Sequence, residues 1–367
     1  MSRYIIYKDK LLDLVKEYGK TAFVYYPIKA NSSPEIVDII DPHITGYEVD
    51  SIELLEFVIN DCKISPSRVL YSSLINDLVD YKRVLDLGVD FFVIDSMEQL
   101  SMLCSLAEEH ALKFLIRIDV SDILNCDGII TKWGCPTCQI PNIAERIKTT
   151  NHVFRGISFY LPQEIYSLSN IYKLISTIES LVVGMDIATL NVGGGMCIQD
   201  FDSIIEFIRK KPQFSNLEII VEPGRYLLDP CVDMISVIKA IKQSNGKKLV
   251  FIDCGIYNGL IDCVIKHKKL DISPKKTDSV QGKTELCIIC GITSDVSDVL
   301  GEFELPEDVQ VGTELVIRGT GAYCRELETQ FYKKKNGVLV KNGAVGWART
   351  TISDKLSQRP TLNDNSI

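Results

Sequence analysis

In TAFVYYPIKANSS, residues 21–33, a lysine closes an apolar and aromatic run just before the break ANSSP. An ammonium at the inner end of a buried strand loses its hydration and its pKa falls, so Lys29 is costly there unless chemistry uses it. A strand that ends at the surface would instead let Lys29 reach water along its stem. The glycine run of LNVGGGM, Gly193 to Gly195 with Gly194 between, could offer bare backbone N–H groups to an anion such as phosphate, or could make a tight turn. It matches neither the dinucleotide fingerprint nor a Walker loop. In VEPGRYLL, Glu222 ends an apolar run and Arg225 follows the turn Pro223, Gly224. Such a carboxylate and guanidinium suit a ligand with a basic nitrogen and a phosphate, or they pair with each other in the core. GTGAYCREL puts Tyr323 in a glycine-rich turn, which is a ligand-side phenol or a hairpin corner.

The elements that must hold these residues alternate from about residue 21 to 228. The apolar runs TAFVYYPIKA, SRVLYSS, VDFFVID, KFLIRID, FRGISFYL, IATLNVGGG and LEIIVEPG predict strands. Helical patterns lie between them: SPEIVDIID with Ser33 as N-cap before Pro34, NDLVDYKRVLDLG ending at Gly88, SMEQLSMLCSLAEEHA, NIYKLISTIESLV and FDSIIEFIRK. Repeated strand–helix units with apolar strands predict a parallel sheet, open or closed into a barrel. After about residue 232 the runs CVDMISVIKAIK, KKLVFIDCG, TELCIICG, GTELVIRG and GVLVKNG predict an antiparallel β-domain. The polar tail SDKLSQRPTLNDNSI is expected to be loose.

At 367 residues the chain has room for two domains, or for one barrel with an addition. A net charge of −9 argues against a general nucleic-acid binder. There is no long uncharged apolar run of the kind that spans a membrane, and MSRYIIYKDK lacks a signal-peptide core, so a cytoplasmic protein is expected. The 12 cysteines are scattered, which fits reduced thiols better than a disulfide framework. Cys126, Cys135 and Cys138 fall in NCDGIITKWGCPTC, but no second ligand pair stands at close spacing, so ordinary thiols rather than a metal site are expected.

Taken together, the lysine, the glycine loop and the Glu–Arg pair all fall at predicted strand ends. In a barrel they would share the C-terminal rim, where barrel enzymes place their sites. A lysine amine, a phosphate clamp and a carboxylate for a pyridine nitrogen are what pyridoxal 5'-phosphate requires. The chain resembles the fold-type III pyridoxal-phosphate decarboxylases, the family of ornithine, diaminopimelate and arginine decarboxylases. FVYYPIKAN resembles that family's lysine segment F-Y-A-V-K-x-N, LNVGGGM resembles L-D-I-G-G-G-F, and VEPGRYL resembles A-E-P-G-R-Y. GITSDVSD resembles G-P-T-C-D-x-x-D, and GAYC resembles the family's late G-A-Y turn. TGYEVDS, LIRID, TKWG and GISFYL are weaker matches, and the likeness runs from about residue 20 to 330.

The resemblance implies a (β/α)8 TIM-like barrel over 22–232 and an antiparallel β domain from 1–21 with 233–367, the alanine-racemase-like fold type III. It implies that Lys29 joins the cofactor, that Glu222 pairs with the ring nitrogen, and that Gly193 to Gly195, Gly224, Arg225 and Tyr323 hold the phosphate. Glu48 and Arg117 would lie around the cofactor. A homodimer is implied, with GITSDVSD crossing into the partner's site and the substrate a small amino-acid-type molecule.

The departures from the family pattern bear on substrate and proton transfer. Tyr160 stands where the family has a histidine that stacks on the ring, Gln163 stands near a small hydroxyl residue that touches phosphate, and Glu48 replaces an aspartate. Ser294 replaces the catalytic cysteine thought to protonate the product, and a hydroxyl is a far weaker acid than a thiol. Asp295, which in the family reads the substrate's far end, is kept. Ornithine-type enzymes carry a Tyr-Asp pair where Lys266 and His267 fall, with Lys268 and Lys269 beside them. If that run faces the site it repels a diamine and favours an acidic or phosphate-bearing tail, as in peptide-antibiotic or siderophore tailoring of the microcin C7 type. If it is a solvated loop it has no such effect. Two other readings are an alanine-racemase-like enzyme, disfavoured by the glutamate of VEPGR, and a pseudoenzyme like antizyme inhibitor, disfavoured by the retained site residues.

Overall fold

Eight short parallel strands close into a ring in a computed structural model that describes residues 2–107, 110–124, 126, 131–275, 283–331, 337–341 and 345–346. The chain divides into two units. The barrel unit comprises Lys8–Cys231 and Gly321–Glu326, and the sheet unit comprises the remainder.

The barrel strands are β2 (Phe23–Pro27), β3 (Gly46–Val49), β4 (Val69–Tyr71), β5 (Phe91–Ile94), β6 (Lys113–Arg117), β7 (Val153–Ser158), β8 (Thr189–Asn191) and β9 (Glu218–Val221). β9 pairs back onto β2 and closes the ring. Leu70 of β4, Phe91 and Val93 of β5, Leu115 of β6 and Ile220 of β9 form one buried cluster, with Tyr25 of β2 packed against it. Strands so far apart around the ring meet only across its interior, so the barrel is filled by side chains. The strand expectations hold for seven of these runs. β3 was not among them, because it is four residues long and carries a glutamate.

Helices α1 (Lys8–Gly19), α2 (Pro34–Ile40), α3 (Ile52–Glu56), α4 (Leu78–Asp86), α5 (Met97–Leu106), α6 (Ile140–Lys148), α7 (Leu168–Leu181), α8 (Ile198–Arg209) and α9 (Arg225–Leu228) belong to this unit. α6 shows why they form: Ile140, Ile143, Ala144 and Ile147 recur at helical spacing and are all buried. Each buried isoleucine contributes about 2–3 kcal/mol. α4 starts on a capping box of Asp77 with Asp80 and is followed by Gly88 at φ +86°, as expected for its stop.

Three expectations need correction. Residues 8–19 group with the barrel rather than the β domain, because α1 buries Leu11, Val15 and Tyr18, and the Tyr18 hydroxyl donates to the Met196 carbonyl at 3.1 Å. Residues 321–326 also return to the barrel unit. Ser33 is the residue before α2 but makes no capping bond; its hydroxyl donates to Asn31 Oδ1 at 2.5 Å and accepts from Arg325.

Among the described residues the sheet unit is one nine-stranded sheet. Its strands are β1 (Arg3–Tyr7), β10 (Val232–Ser244), β11 (Lys247–Ile252), β12 (Asp271–Pro274), β13 (Thr284–Cys290), β14 (Val299–Pro306), β15 (Glu314–Arg318), β16 (Gly337–Lys341) and β17 (Val345–Gly346), with the short helix α10 (Ile261–Ile265). Most pairs are antiparallel, as expected, but β1 with β16 and β11 with β13 are parallel. The tail expected to be loose lies outside the described residues. Among the described residues no helix is long and apolar enough to cross a membrane, and no group of three or more His, Cys, Asp or Glu could hold a metal ion.

Gly156 of β7 lies close against the backbone of β8. The β6–β7 register shifts beside it, its φ is +147°, and an added Cβ would lie 1.9 Å from the Thr189 carbonyl oxygen of β8. Only glycine fits such a close backbone approach. Gly156→Ala is expected to destabilise the protein by about 2–4 kcal/mol, read as a lower denaturant midpoint at unchanged m-value.

Candidate active site

The barrel brings together residues that lie far apart in sequence at the C-terminal ends of its strands. Lys29 sits in a single 3-10 turn, Ile28–Ala30, directly after β2. Glu48 is in β3, beside Pro27 in register. Arg117 ends β6, Tyr160 follows β7, Gly193 to Gly195 follow β8, and Glu222, Gly224 and Arg225 follow β9. Tyr323 is on the returning segment of the same unit.

The Lys29 ammonium lies 2.7 Å from Glu48 Oε1 and 3.0 Å from Asp50 Oδ2. Burial pulls the pKa of Lys29 down, but the charges of Glu48 and Asp50 more than offset it, so Lys29 is held above its ordinary range. The side chain keeps 36% of its surface accessible, while its ammonium is closely surrounded by protein. Glu48 is almost wholly buried; the Ser72 hydroxyl donates to the Oε1 that also takes Lys29, and Oε2 is buried with no hydrogen-bond partner.

Glu222 directly follows β9; it is half-buried as a residue, while its carboxylate is closely surrounded by protein. Asn191 Nδ2 donates to its Oε1 at 2.7 Å, while Asn191 Oδ1 accepts from Gly193 N at 2.9 Å. Burial, reinforced by the charge of Glu48, pushes the Glu222 pKa up to about 7. Burial also lowers the pKa of Arg117. The Arg117 carbonyl accepts from Cys135 N at 2.7 Å, but among the described residues its guanidinium makes no hydrogen bond or ion pair and lies 6.0 Å from the centre of the Tyr160 ring. Tyr160 itself is 42% exposed.

The glycines are set by backbone geometry. Gly193 and Gly195 have φ of +67° and +87°, and a Cβ on Gly194 would lie 2.5 Å from the Glu222 carbonyl oxygen. Beside them, Gly224 is closed in by Ala30, Pro27 and the Tyr323 hydroxyl, and the Arg225 guanidinium lies 5.0 Å from the centre of the Tyr323 ring. Tyr323 has φ +64°, unusual for a bulky residue, and its N–H donates to the Ala30 carbonyl at 2.7 Å. Burial pushes its phenol up to about 12.

These residues suit pyridoxal phosphate. An orphaned oxygen on Glu48 and the guanidinium of half-buried Arg117, without a hydrogen bond or ion pair among the described residues, are polar groups that a polar ligand would satisfy. A buried carboxylate with raised proton affinity, Glu222, favours a cationic ring nitrogen as neighbour. The glycine turns leave room for an anion at backbone N–H groups.

The sequence reading missed Asp50, Ser72 and Asn191. Asn191 directly precedes the glycine run, and Asp50 follows Glu48 by two residues, so proximity to named motifs was the available signal. The remaining expected residues belong to the sheet unit. Ser294 is exposed in a loop pinned by buried Asp298, which accepts from Ile256 N at 2.8 Å and from the Thr293 hydroxyl at 2.7 Å. Asp295 accepts from Ser297 N at 2.7 Å, which lowers its pKa. Lys266 and His267 are exposed after α10, with His267 at φ +47°.

The model of the pyridoxal-dependent decarboxylase family, pyridoxal binding domain, matches residues 7–229. The chain is 22% identical to ornithine decarboxylase of Schizosaccharomyces pombe over 82% of this chain and 73% of that protein. It is 25% identical to diaminopimelate decarboxylase of Aquifex aeolicus over 98% of this chain and 91% of that protein. Its fold is shared with the arginine decarboxylase of Paramecium bursaria Chlorella virus, at TM-score 0.83 and 20% identity over 93% of this chain and 96% of that one. A family match over most of the barrel, on a fold whose strand ends gather the expected lysine, acids and glycines, makes this chain a member of the pyridoxal-dependent decarboxylase family and an amino-acid decarboxylase with pyridoxal phosphate as its cofactor.

Proposed function

We propose that Lys29 is the amine that joins the cofactor, and that the enzyme removes the α-carboxylate of an amino acid whose far end is not a second ammonium. The observation that carries the first part is the Lys29 ammonium, held 2.7 Å and 3.0 Å from two carboxylates at the barrel's C-terminal end. When bound, pyridoxal phosphate supplies a ring that draws in the electron pair left at Cα as carbon dioxide departs. Glu222, oriented by Asn191, would keep a proton on the ring nitrogen. Gly193 to Gly195, Gly224, Arg225 and Tyr323 would hold the phosphate, and Tyr160 and Arg117 would lie around the cofactor. In the homodimer that the family implies, Ser294 would carry the proton to Cα, directly or through water, and Asp295 would read the substrate's far end.

The second part is supported by the basic run Lys266, His267, Lys268, Lys269, three members of which are exposed. Lys268 is drawn back onto the Gly319 carbonyl. Where that run faces the site, a second ammonium is repelled and an anionic or phosphate-bearing tail is attracted. That chemistry fits a tailoring step in peptide-antibiotic or siderophore synthesis. The competing reading is a primary-metabolism enzyme for ornithine or diaminopimelate, the substrates that name two of its relatives. A homodimer with shared sites is part of this reading and is supported by membership of the family alone.

Carbon dioxide release should favour α-amino acids with anionic tails over ornithine, lysine and diaminopimelate, and preference for ornithine would refute the anionic-tail reading. Lys29→Ala should lose the visible absorption band of the loaded protein and lower turnover by about 10³-fold or more. In the cofactor-free protein, folded Glu222 keeps its proton up to about pH 7, against an ordinary value of 4.5. The folded state therefore binds more protons across that window, and stability falls as pH rises through it. Glu222→Gln should flatten that slope, measured as urea midpoints against pH.

A further inference from the structure

Lys29 has two acidic partners of different kinds. Glu48 is 2% accessible, fixed within β3, and bonded by the Ser72 hydroxyl through the same oxygen that takes Lys29. Asp50 lies one residue beyond β3 and its side chain is 35% accessible. If Lys29 moves away, water can solvate Asp50 but not the buried Oε2 of Glu48. Asp50 is thus the half of the pair that can gain and lose the ammonium at little cost.

We infer that Asp50 is a positioning residue that captures the Lys29 ammonium whenever that amine is not joined to the cofactor. This rests on the role of Lys29 proposed above and assigns Asp50 a task of its own. In the exchange of Lys29 for the substrate amine, the carbon–nitrogen double bond to Lys29 would be replaced by one to the substrate nitrogen, and the two protons given up by the substrate's ammonium would end on Lys29 Nζ, which leaves as an ammonium. Charge and protons balance without any further reactant. An ammonium has no lone pair, so Lys29 held between Glu48 and Asp50 cannot return to that carbon ahead of the chemistry. The other groups facing Lys29 are Glu222 from the end of β9, which adds to its protonation, and the phenol of Tyr323.

The test is competitive acetylation of the cofactor-free protein with acetic anhydride between pH 7 and 9, read lysine by lysine by peptide mass spectrometry. Exposed Lys82, paired with Asp86 on α4, serves as the internal reference. Removing one carboxylate makes the neutral amine more abundant, so Asp50→Asn should acetylate Lys29 about tenfold faster than wild type at the same pH, equivalent to one pKa unit. Asp50→Glu should restore the wild-type rate, and Lys82 should not change in either variant. Equal Lys29 rates in wild type and Asp50→Asn would overturn the proposal. Borohydride reduction of the loaded wild type tests the underlying role separately: a pyridoxyl mass on Lys29 supports it, and one on another lysine overturns that role and the purpose of the capture with it.

Discussion

One ammonium among acids organises the barrel's open end. Lys29 is placed where burial disfavours its charge, and Glu48 and Asp50 reverse that preference. Their position depends on register. Glu48 stands beside Pro27 across the β2–β3 pair, and the Ser72 N–H donates to the Val49 carbonyl at the next strand junction. A slip of one residue would turn Glu48 to the opposite face of β3 and leave Lys29 without its buried partner. The same charges reach further round the ring, where Glu48 raises the proton affinity of Glu222 and Arg117 opposes it. The acids and bases at this end therefore act as one coupled set.

The turn that carries Lys29 is held by backbone as well as by charge. The Asn31 amide donates to the Gly321 carbonyl at 2.8 Å, Tyr323 N donates to Ala30, and Glu326 accepts from Ser32 N at 2.8 Å. Arg325 reaches the Ser33 hydroxyl. A short segment from far along the chain thus fixes the two sides of the lysine turn, and the left-handed Tyr323 is the strained point of that arrangement. Such strain persists only where surrounding bonds over-determine the backbone. In the sheet unit Asp298 plays a comparable part for the Ser294 loop, since a Cβ on Gly255 or Gly291 would lie 2.3 Å or 2.2 Å from its carboxylate.

Much of this was legible in the linear chain. Apolar runs that alternate with helical periodicity marked seven of the barrel strands, because a strand buried on both faces carries no polar alternation. The lysine, glycine and Glu–Arg motifs stood out because each breaks an apolar run with a costly or unusual residue. β3 was illegible for the opposite reason: its four residues include a charge whose burial makes sense only beside Lys29. Asp50, Ser72 and Asn191 were equally silent, since short polar residues at strand ends are common and gain meaning only from what they touch.

The sequence by itself determined which residue types could do chemistry, the strand–helix alternation that places them at strand ends, and a cofactor class that needs a lysine and a phosphate clamp. Those follow from local physics: periodicity, backbone freedom of glycine, and the cost of burying charge. The tertiary structure alone decided that β9 closes on β2, that residues 321–326 return to the barrel unit, and that Lys29 has two acidic partners rather than one. Each of these is a contact between distant positions, and contact between distant positions is set by the packing of the whole barrel, which no local pattern encodes.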